Sequence, residues 1–250
     1  MSVSKSHPRY ESLRTREELI KYWKRGFVVT QGLLAHGRGE AFDYLLGERT
    51  IVQARKAAEA SAALLILAER PVLSINGNTA ALAAKDIVKL AQLVNARIEV
   101  NLFHRTAKRV NRISALLKNY GAGEVLGENT NARIPNLEHG RALCTRTGIF
   151  NADVVLVALE DGDRAEALIS MGKKVIAVDL NPLSRTARAA SITIVDNVTR
   201  ALKEVIRAVK NLKSVNREEL KARIKNFDNN RNLKEVLSYI SKRLKVIKWY

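Results

Sequence analysis

The feature of the sequence that most constrains the fold is a regular alternation of short apolar runs with longer amphipathic segments between residues 71 and 200. The apolar runs are rich in Val and Ile and do not alternate with polar residues, which is typical of strands buried on both faces of a parallel sheet. Because such strands are joined by helical crossovers, the pattern predicts an open α/β sheet. The predicted strands are Val72–Ile75, Ile98–Phe103, Glu124–Leu126, Val154–Leu159, Val175–Leu180 and Ile192–Val195, and the predicted helices between them lie near Ala81–Asn95, Arg105–Tyr120, Arg164–Met171 and Ser184–Ala190.

Helical patterns flank this core on both sides. The N-terminal part contains three predicted helices, at about Arg16–Lys24, Gly39–Leu46 and Thr50–Ala68, and Pro71 ends the last of them. After Asn197 the pattern is purely helical. We therefore expect an open, mostly parallel, Rossmann-like sheet flanked by helices, with N-terminal helices and a helical C-terminal extension. The predicted divisions are an N-terminal helical segment packed on the core (1–70), an α/β nucleotide-binding core (71–200) and a basic helical C-terminal extension (201–250).

Composition limits the class of protein. Apolar residues make up 46% of the chain, enough for a substantial core. No stretch approaches the roughly 20 apolar residues of a membrane helix, and the N-terminus lacks a secretory signal pattern. A single cysteine, Cys144, rules out an intramolecular disulfide and a zinc site built from cysteines. These features predict a soluble cytoplasmic protein with no membrane partner.

The positive charge is concentrated at the C-terminus. The formal net charge is +18, and residues 199–250 carry +10 of it, with fifteen Lys or Arg against five acids. Such a balance raises the possibility of nucleic-acid binding. A solvated basic helix face explains the same charge more simply, so we do not expect nucleic acid as a partner.

Polar side chains follow five of the predicted strands. Ligands of open α/β sheets bind in the crevice beyond the carboxyl ends of the strands, so these side chains are predicted to lie at one site. Each segment alone also fits ordinary turn or helix-cap chemistry, and only their convergence favours a site. The segments are Asn76–Asn78, Asn101 with His104–Thr106, Glu160–Arg164, Asp179–Pro182 leading into Ser184–Thr186, and Asp196–Thr199.

No standard phosphate-binding motif is present. The sequence has no G-x-x-x-x-G-K-[ST] motif. The glycines at 121 and 123 precede a predicted strand instead of following one, and the third glycine, Gly127, is misplaced for a dinucleotide motif. Helix N-termini and arginines also hold phosphates, and Ser184-Arg185-Thr186 opens a predicted helix after a strand. Asp179 and Asn181 suit recognition of nucleoside hydroxyl and amide groups. The sequence therefore predicts an ATP pocket without a Walker motif.

A second cluster of polar residues lies in the N-terminal third. Residues 31–44 place His36, Arg38, Glu40 and Asp43 around three glycines, which we interpret as a loop that precedes a helix. In this interpretation Glu40 lies near the helix start, where the helix dipole favours an acid. A glycine-rich loop that only caps a helix would give the same pattern.

Several strings of the sequence are long enough to be specific. They are Ser6–Tyr10, Gly32–Leu45, Asn101–Thr106, Leu159–Arg164, Val178–Thr186 and Ile194–Asn197. Together these strings resemble the archaeal 4-phosphopantoate–β-alanine ligase (phosphopantothenate synthetase) family. The resemblance covers about residues 6–200 in the family's order and is much weaker beyond Lys203.

The resemblance implies an ATP-dependent ligase of coenzyme A biosynthesis that joins 4-phosphopantoate to β-alanine and releases AMP and pyrophosphate. It also implies Mg²⁺ and a homodimer. The metal ligands stay unknown. By position, the family's ATP contacts fall on Arg16, Arg38, Asp179, Leu180, Asn181, Arg185, Thr186, Asn197 and Val198.

The remaining site residues are hypotheses about role. We expect Arg38, His36, His104 and Asp161 to take part in catalysis, with His139 as a further possible base. Asp161 and Asp163 suit Mg²⁺ or the β-alanine ammonium, although Asp-Gly-Asp is also ordinary helix-cap sequence. The expected substrate-binding residues are Asn76, Asn101, Arg105, Asp163 and Arg164.

Two other classes of protein share parts of the pattern. A nucleic-acid-binding α/β protein would use the basic C-terminal helices, but aromatic residues are few and not interleaved with basic ones on a strand. A nicotinamide-dependent oxidoreductase fits the α/β pattern but requires a correctly placed G-x-G-x-x-G motif, which is missing.

Overall fold

The computed structural model describes residues 4–246. Within this range ten α-helices and eight strands follow one another along the chain. The helices are α1 (Tyr10–Lys24), α2 (Thr30–Leu46), α3 (Val52–Leu67), α4 (Gly77–Val94), α5 (Ala107–Asn119), α6 (Gly162–Ser170), α7 (Arg185–Ala189), α8 (Val198–Leu212), α9 (Arg217–Lys225) and α10 (Asn229–Lys245). The strands are β1 (Pro71–Ile75), β2 (Arg97–Val100), β3 (Val125–Leu126), β4 (Ala132–Arg133), β5 (Leu143–Cys144), β6 (Val154–Ala158), β7 (Lys174–Val178) and β8 (Ile192–Ile194).

Six of the strands form one parallel sheet in the order β3-β2-β1-β6-β7-β8. The central strand β1 pairs with β2 through Leu73 and Ile98, and with β6 through Leu73 and Leu156. All five pairings in this sheet are parallel, which confirms the predicted fold class. The short antiparallel pair of β4 and β5 was not predicted, because two-residue strands carry almost no periodic signal.

Both faces of the sheet are covered. One face contributes Leu73, Ile75 and Leu156 to a large core that also contains side chains of the N-terminal and C-terminal helices. The other face contributes Val72 and Val155 to a smaller core formed with α6 and the segment around β4 and β5. This two-sided burial explains why the strands lack alternating polar residues. The larger core draws on all three predicted divisions of the chain, and the boundaries between those divisions stay a prediction.

The loop predicted around the glycines at 32, 37 and 39 is wrong, because these residues lie inside α2. Glu40 is therefore in the helix interior and not at its start. The buried side chains of α2 are spaced as one helix face, and Glu40 pairs with Arg16 while Asp43 pairs with Arg200. These contacts with α1 and α8 outweigh the low helix propensity of glycine, which costs about 1 kcal/mol per residue relative to alanine.

The C-terminal helices pack onto the rest of the protein. Helix α8 lies against α3 and α4, α9 contacts α3, and α10 contacts α2, α3, α7 and β8. The purely helical pattern predicted after Asn197 is confirmed for the described residues. Within residues 4–246 no helix combines the length and the apolar character needed to cross a membrane.

Candidate active site

A crevice of about 290 Å³ opens at the carboxyl edge of the sheet between β1 and β6. From β1 the chain proceeds to β2 and β3 on one side, and from β6 it proceeds to β7 and β8 on the other. Such a reversal of strand order is where open α/β sheets bind ligands. We call this cavity the central crevice. It is lined by Val29, Gln31, Gly32, Ala35, Asn76, Gly77, Asn78, Leu102, Phe103, His104, Arg109, Arg141, Leu159 and Asp161.

Arg141 is the most constrained cation of the central crevice. Its side chain is 9% exposed, its Nη1 donates a hydrogen bond to Glu160 Oε1, and its Nε lies 3.1 Å from Asp161 Oδ2. Burial lowers the pKa of Arg141 to about 10, and the negative charge of Asp161 partly offsets this effect. Arg141 therefore stays protonated near neutral pH and presents a fixed positive charge to a ligand.

Glu160 and Arg164 hold Arg141 in place from behind. The Glu160 side chain is 3% exposed and accepts hydrogen bonds from Arg141 and Arg164. Arg164 has no exposed surface, and its Nη2 also donates to Ser74 Oγ at 3.0 Å. Burial lowers the pKa of Arg164 to about 10. Arg164, predicted as a substrate-binding residue, thus anchors Glu160 and does not line the central crevice.

Arg109 supplies a second cation. It lies in the first turn of α5, whose N-terminus is capped by Thr106. Its Nη2 donates to the Phe27 carbonyl oxygen at 2.9 Å, and its Nη1 donates to the His104 carbonyl oxygen. Burial lowers the pKa of Arg109, and its Nε is buried without a hydrogen-bond partner among the described residues. Arg109 therefore has donor capacity that the described residues do not use.

Two predicted asparagines hold the frame of the central crevice. Asn76 donates from Nδ2 to the Ala158 carbonyl oxygen at 2.7 Å and accepts from the Thr79 backbone N–H at 2.9 Å. It therefore caps α4 and joins β1 to β6. Asn101 is buried and donates from Nδ2 to the Arg141 carbonyl oxygen at 3.1 Å. Asn76 lines the central crevice, whereas Asn101 fixes the backbone that carries Arg141.

The neighbours His104 and Arg105 diverge. His104 is exposed at the rim of the central crevice. Arg105 donates from Nη2 to the carbonyl oxygens of Gly127 and Glu128, and it does not line the central crevice. Burial lowers the pKa of Arg105. Its role as a substrate-binding residue stays a prediction, which would require the side chain to leave these carbonyls.

Asp161 and Asp163 each face a nitrogen-bearing side chain. Asp161 occupies the N-cap position of α6, but its side chain makes no capping hydrogen bond and lies beside Arg141. Asp163 Oδ2 lies 3.0 Å from His139 Nε2, and the His139 ring stacks on Phe103 with 4.6 Å between centroids. The helix-cap interpretation therefore does not account for the side chain of Asp161.

The predicted ATP residues after β7 form a compact turn. Asp179 accepts hydrogen bonds from the Asn181 backbone N–H at 2.9 Å and from the Ser184 hydroxyl. Burial raises the pKa of Asp179, and these two bonds and the charge of Arg38 partly offset the effect. Leu180 is buried beneath the turn. The carboxylate thus organises the backbone that leads into α7.

Arg185 and Thr186 link this turn to the central crevice. Arg185 is exposed, and its Nη2 lies 2.6 Å from Glu166 Oε2. The Thr186 hydroxyl donates to the Glu160 carbonyl oxygen at 2.9 Å. Because the Glu160 side chain also pairs with Arg141, Glu160 connects the predicted ATP residues to the central crevice.

Three further predicted residues lie in this region, His36 and Arg38 on α2 and Arg16 on α1. His36 is buried, and its Nε2 lies 3.9 Å from Glu40 Oε1 without a hydrogen-bond partner among the described residues. Burial lowers the pKa of His36, and the Glu40 charge partly offsets this. Arg16 on α1 pairs with the same carboxylate through Nε at 2.8 Å. Arg38 is exposed.

A small cavity separates α2 from the ends of β6 and β7 and the start of α8. Its volume is about 10 Å³, whereas ligand sites usually measure about 300–1,000 Å³. The predicted ATP residues Leu180, Asn197 and Val198 line it together with His36. Asn197 also caps α8 by accepting from the Thr199 backbone N–H at 3.0 Å. The fold thus brings these residues together but leaves no room for a nucleotide between them.

Comparison with known proteins identifies the family. A family model described as phosphopantothenate/pantothenate synthetase matches residues 53–243. The chain belongs to this family. A relative named 4-phosphopantoate–beta-alanine ligase from Thermococcus kodakarensis is 51% identical over 245 residues, which cover 98% of this chain and 94% of the relative. Relatives of the same name from Methanosarcina mazei and Methanospirillum hungatei are each 52% identical, over 98% and 97% of this chain and 96% and 98% of the relatives.

Membership of this family confirms the resemblance drawn from the sequence strings. These relatives give the nucleic-acid-binding alternative no support. The basic residues of α8, α9 and α10 are instead those of helices that pack on the core and expose a charged face.

No protein-only metal site is present in residues 4–246, because no three His, Cys, Asp or Glu side chains there are placed to hold an ion. Asp161 faces Arg141, and Asp163 faces His139. Mg²⁺ usually binds nucleotide enzymes as a complex with the substrate phosphates and one or two carboxylates. The arrangement of Asp161 and Asp163 fits Mg²⁺ only in such a complex.

The sequence interpretation missed Arg109 and Arg141 as site residues. Arg141 follows no predicted strand, and only the contacts of Asn101 and Glu160 bring it to the central crevice. Arg109 lies one helical turn beyond the predicted string that ends at Thr106. A search for arginines one turn inside each helix after a strand end would have found Arg109, whereas no local signal marks Arg141.

Proposed function

We propose that this chain condenses 4-phosphopantoate with β-alanine at the expense of ATP, giving 4′-phosphopantothenate, AMP and pyrophosphate for coenzyme A biosynthesis. The proposal is supported by family membership and by relatives that carry the name 4-phosphopantoate–beta-alanine ligase over nearly their full lengths. The observation of the structure that supports it best is Arg141, a buried cation facing a crevice at the reversal point of the sheet. An acid that carries both a carboxylate and a phosphate requires such a charge.

The chemistry follows from the poor reactivity of a carboxylate. A carboxylate oxygen of 4-phosphopantoate attacks the α-phosphorus of ATP. The bond between the α-phosphorus and the oxygen that bridges it to the β-phosphorus breaks, and pyrophosphate leaves. The β-alanine nitrogen then attacks the carbonyl carbon of the acyl adenylate, loses a proton to a base, and displaces AMP. Most of the rate enhancement comes from holding the reactants together and stabilising the developing charge.

We assign 4-phosphopantoate to the central crevice. Arg141 and Arg109 bind its phosphate or carboxylate there, with Asn76 and the predicted residues Asn101 and Arg164 supporting the frame. A charge-assisted hydrogen bond of this type contributes about 1.5–3 kcal/mol. Arg105, also predicted for this substrate, joins only if it leaves the carbonyl oxygens that it now contacts.

We assign ATP to the surface between α2, α7 and the start of α8. Arg38 and Arg185 are exposed there and suit the phosphates, and Arg16 joins them when it releases Glu40. The other proposed contacts are Asp179, Leu180, Asn181, Thr186, Asn197 and Val198. Because the cavity between these elements measures about 10 Å³, α2 shifts away from β7 when the nucleotide enters.

Several groups are available to handle the β-alanine amine. Burial keeps His36 neutral by lowering its pKa, so it suits a base, and His104 lies at the rim of the central crevice. His139 is a third option, held by Asp163. Asp161 or Asp163 would bind the ammonium of β-alanine before it loses its proton. The residues leave the choice of base open between the three histidines.

Mg²⁺ enters this proposal as the Mg–ATP complex, in which phosphate oxygens and water supply most ligands. The ion neutralises phosphate charge when bound. Because the reaction consumes ATP, we expect the enzyme in the cytoplasm.

We also propose that the enzyme is a homodimer. Leu34 is 71% exposed, and Phe103 and Leu183 are also exposed on segments that follow strands β2 and β7. Exposed large apolar side chains favour a protein interface. Sedimentation equilibrium should give twice the chain mass of 27.8 kDa, and Leu34→Glu should weaken the association. A monomeric wild type at micromolar concentration contradicts this part of the proposal.

The reaction is tested with the purified protein, Mg–ATP, 4-phosphopantoate and β-alanine. AMP and pyrophosphate are followed while each substrate is omitted in turn. We expect both products only when both organic substrates are present. Exchange of labelled pyrophosphate into ATP should require 4-phosphopantoate but not β-alanine, because the adenylate forms before the amine reacts.

Other outcomes have distinct meanings. ADP and phosphate as products would keep the ligase but replace the acyl adenylate with an acyl phosphate. Absence of turnover with all three substrates would reject the proposed activity. Pyrophosphate exchange without 4-phosphopantoate would place adenylation on another acid.

A further inference from the structure

Helix α10 covers the edge of the sheet with side-chain amides in place of a further strand. Asn229 Oδ1 accepts a hydrogen bond from the Thr193 backbone N–H at 2.7 Å, and Asn232 Nδ2 donates to the Thr193 carbonyl oxygen at 3.0 Å. Thr193 is the central residue of the edge strand β8, whose outward backbone groups would otherwise be unpaired. The two amides thus satisfy the groups that a neighbouring strand would pair.

Asn229 also contacts the helix that carries proposed ATP residues. Its Nδ2 donates to the carbonyl oxygens of Ala187 at 2.9 Å and of Ala190 at 3.0 Å. Both carbonyls belong to the carboxyl end of α7, which begins with Arg185 and Thr186. One amide therefore makes three hydrogen bonds and joins the edge strand to α7, whereas Asn232 contacts β8 alone.

The other end of α10 holds α2. The Tyr239 hydroxyl donates to the Leu46 carbonyl oxygen at 3.3 Å and accepts from Arg49 Nη2 at 2.9 Å. Arg243 Nη1 donates to the Tyr44 carbonyl oxygen at 3.2 Å. The last carbonyls of a helix have no partner within it, so these contacts fix the carboxyl end of α2.

We propose that α10 is the positioning element of the ATP site, with Asn229 fixing α7 and Tyr239 fixing the end of α2. This inference rests on the proposed assignment of ATP to the surface between α2 and α7. Neither residue touches ATP; each acts through the helix that it holds. The C-terminal extension thereby serves the reaction without contributing a catalytic group.

A purely stabilising role for α10 predicts that Asn229 and Asn232 affect ATP binding equally, whereas the proposed positioning role predicts an effect of Asn229 alone. Both amides bond to Thr193, but only that of Asn229 bonds to α7. The ATP dissociation constant is measured by calorimetry for wild type, Asn229→Ala and Asn232→Ala, together with KM for each substrate and the free energy of unfolding. Calorimetry reports on the inference even without turnover.

For Asn229→Ala we expect ATP affinity and KM for ATP to worsen about fivefold to thirtyfold, because the lost amide leaves the Ala190 carbonyl unpaired and leaves the Ala187 carbonyl with the Thr193 hydroxyl alone. KM for 4-phosphopantoate should change less than twofold. Asn232→Ala should keep ATP affinity within twofold of wild type while losing stability. Equal ATP affinity in the two variants would overturn the inference.

A second variant covers the case in which Asn229→Ala does not fold. Tyr239→Phe removes one hydroxyl and should weaken ATP binding about threefold to tenfold, and unchanged affinity would overturn the inference. A wild type that binds ATP but does not turn over the two organic substrates would reject the proposed reaction alone. A wild type that binds no ATP would overturn both.

Discussion

Gly37 tests whether α2 keeps its helical form when ATP binds. The residue lies in the interior of α2, and a Cβ atom added there meets no atom within 4 Å. Gly37→Ala therefore introduces no clash and gains the difference in helix propensity, about 0.8–1.0 kcal/mol. For a chain of this size that gain raises Tm by about 2–4 °C.

Gly32 in the same helix provides the matched control. A Cβ atom at Gly32 would lie 2.4 Å from Asn78 Oδ1 and 3.2 Å from Val28 Cγ1. Asn78 also donates from Nδ2 to the Gly32 carbonyl oxygen at 2.8 Å, so its amide cannot retreat without losing that bond. Gly32→Ala should lower the free energy of unfolding by about 1–3 kcal/mol. Urea denaturation measures both variants.

The same Gly37→Ala protein should bind ATP less tightly. If α2 unwinds around Gly37 as it moves away from β7 to admit the nucleotide, stabilising the helical form by about 1 kcal/mol weakens the apparent affinity about fivefold. Calorimetry on both variants measures this. A more stable Gly37→Ala protein with unchanged or tighter ATP binding would show that α2 stays helical with ATP bound. A Gly37→Ala protein that is less stable than wild type would refute the steric argument itself.

Three further predictions address single residues. Arg141→Met should raise KM for 4-phosphopantoate about tenfold to a hundredfold while Arg141→Lys retains part of the affinity; equal KM values in steady-state assays would remove Arg141 from the site. Burial raises the pKa of Glu99 above its ordinary value of 4.5, so the folded state binds the extra proton more tightly than the unfolded state does. The stability of wild type relative to Glu99→Gln should therefore fall as pH rises from about 4 through the folded pKa, and a difference that grows with pH in urea titrations would contradict this sign. Burial raises the pKa of Cys144 to about 11, so the thiol should resist iodoacetamide in the native protein and react on unfolding. Mass spectrometry measures the labelling, and rapid labelling of the native protein would show that the smaller core opens.

The boundaries of the helices were less predictable than their existence. Helix α1 begins at Tyr10, six residues before the predicted start, and α2 begins at Thr30. Local patterns located the amphipathic centres, but the ends depend on contacts between helices. Arg16 of α1 pairs with Glu40 of α2, and Arg200 of the distant helix α8 pairs with Asp43 of α2.

The parallel α/β class could be predicted from the amino-acid sequence alone, because buried strands require uninterrupted apolar runs and crossover helices require amphipathic ones. The sequence also predicted which segments meet at the carboxyl edge, since every parallel strand ends on the same side. The resemblance of the polar strings then identified the family. These properties are local, or follow from chain direction alone.

Only the tertiary structure decided which side chains face the central crevice. Arg141 reaches it because Glu160, Arg164 and Asn101 position a segment that has no strand pattern of its own. Arg105, five residues beyond the end of β2 and two beyond its predicted end, instead turns to backbone carbonyls. The physical reason is that a buried charge lies where its partners are, and those partners come from parts of the chain that no local pattern connects.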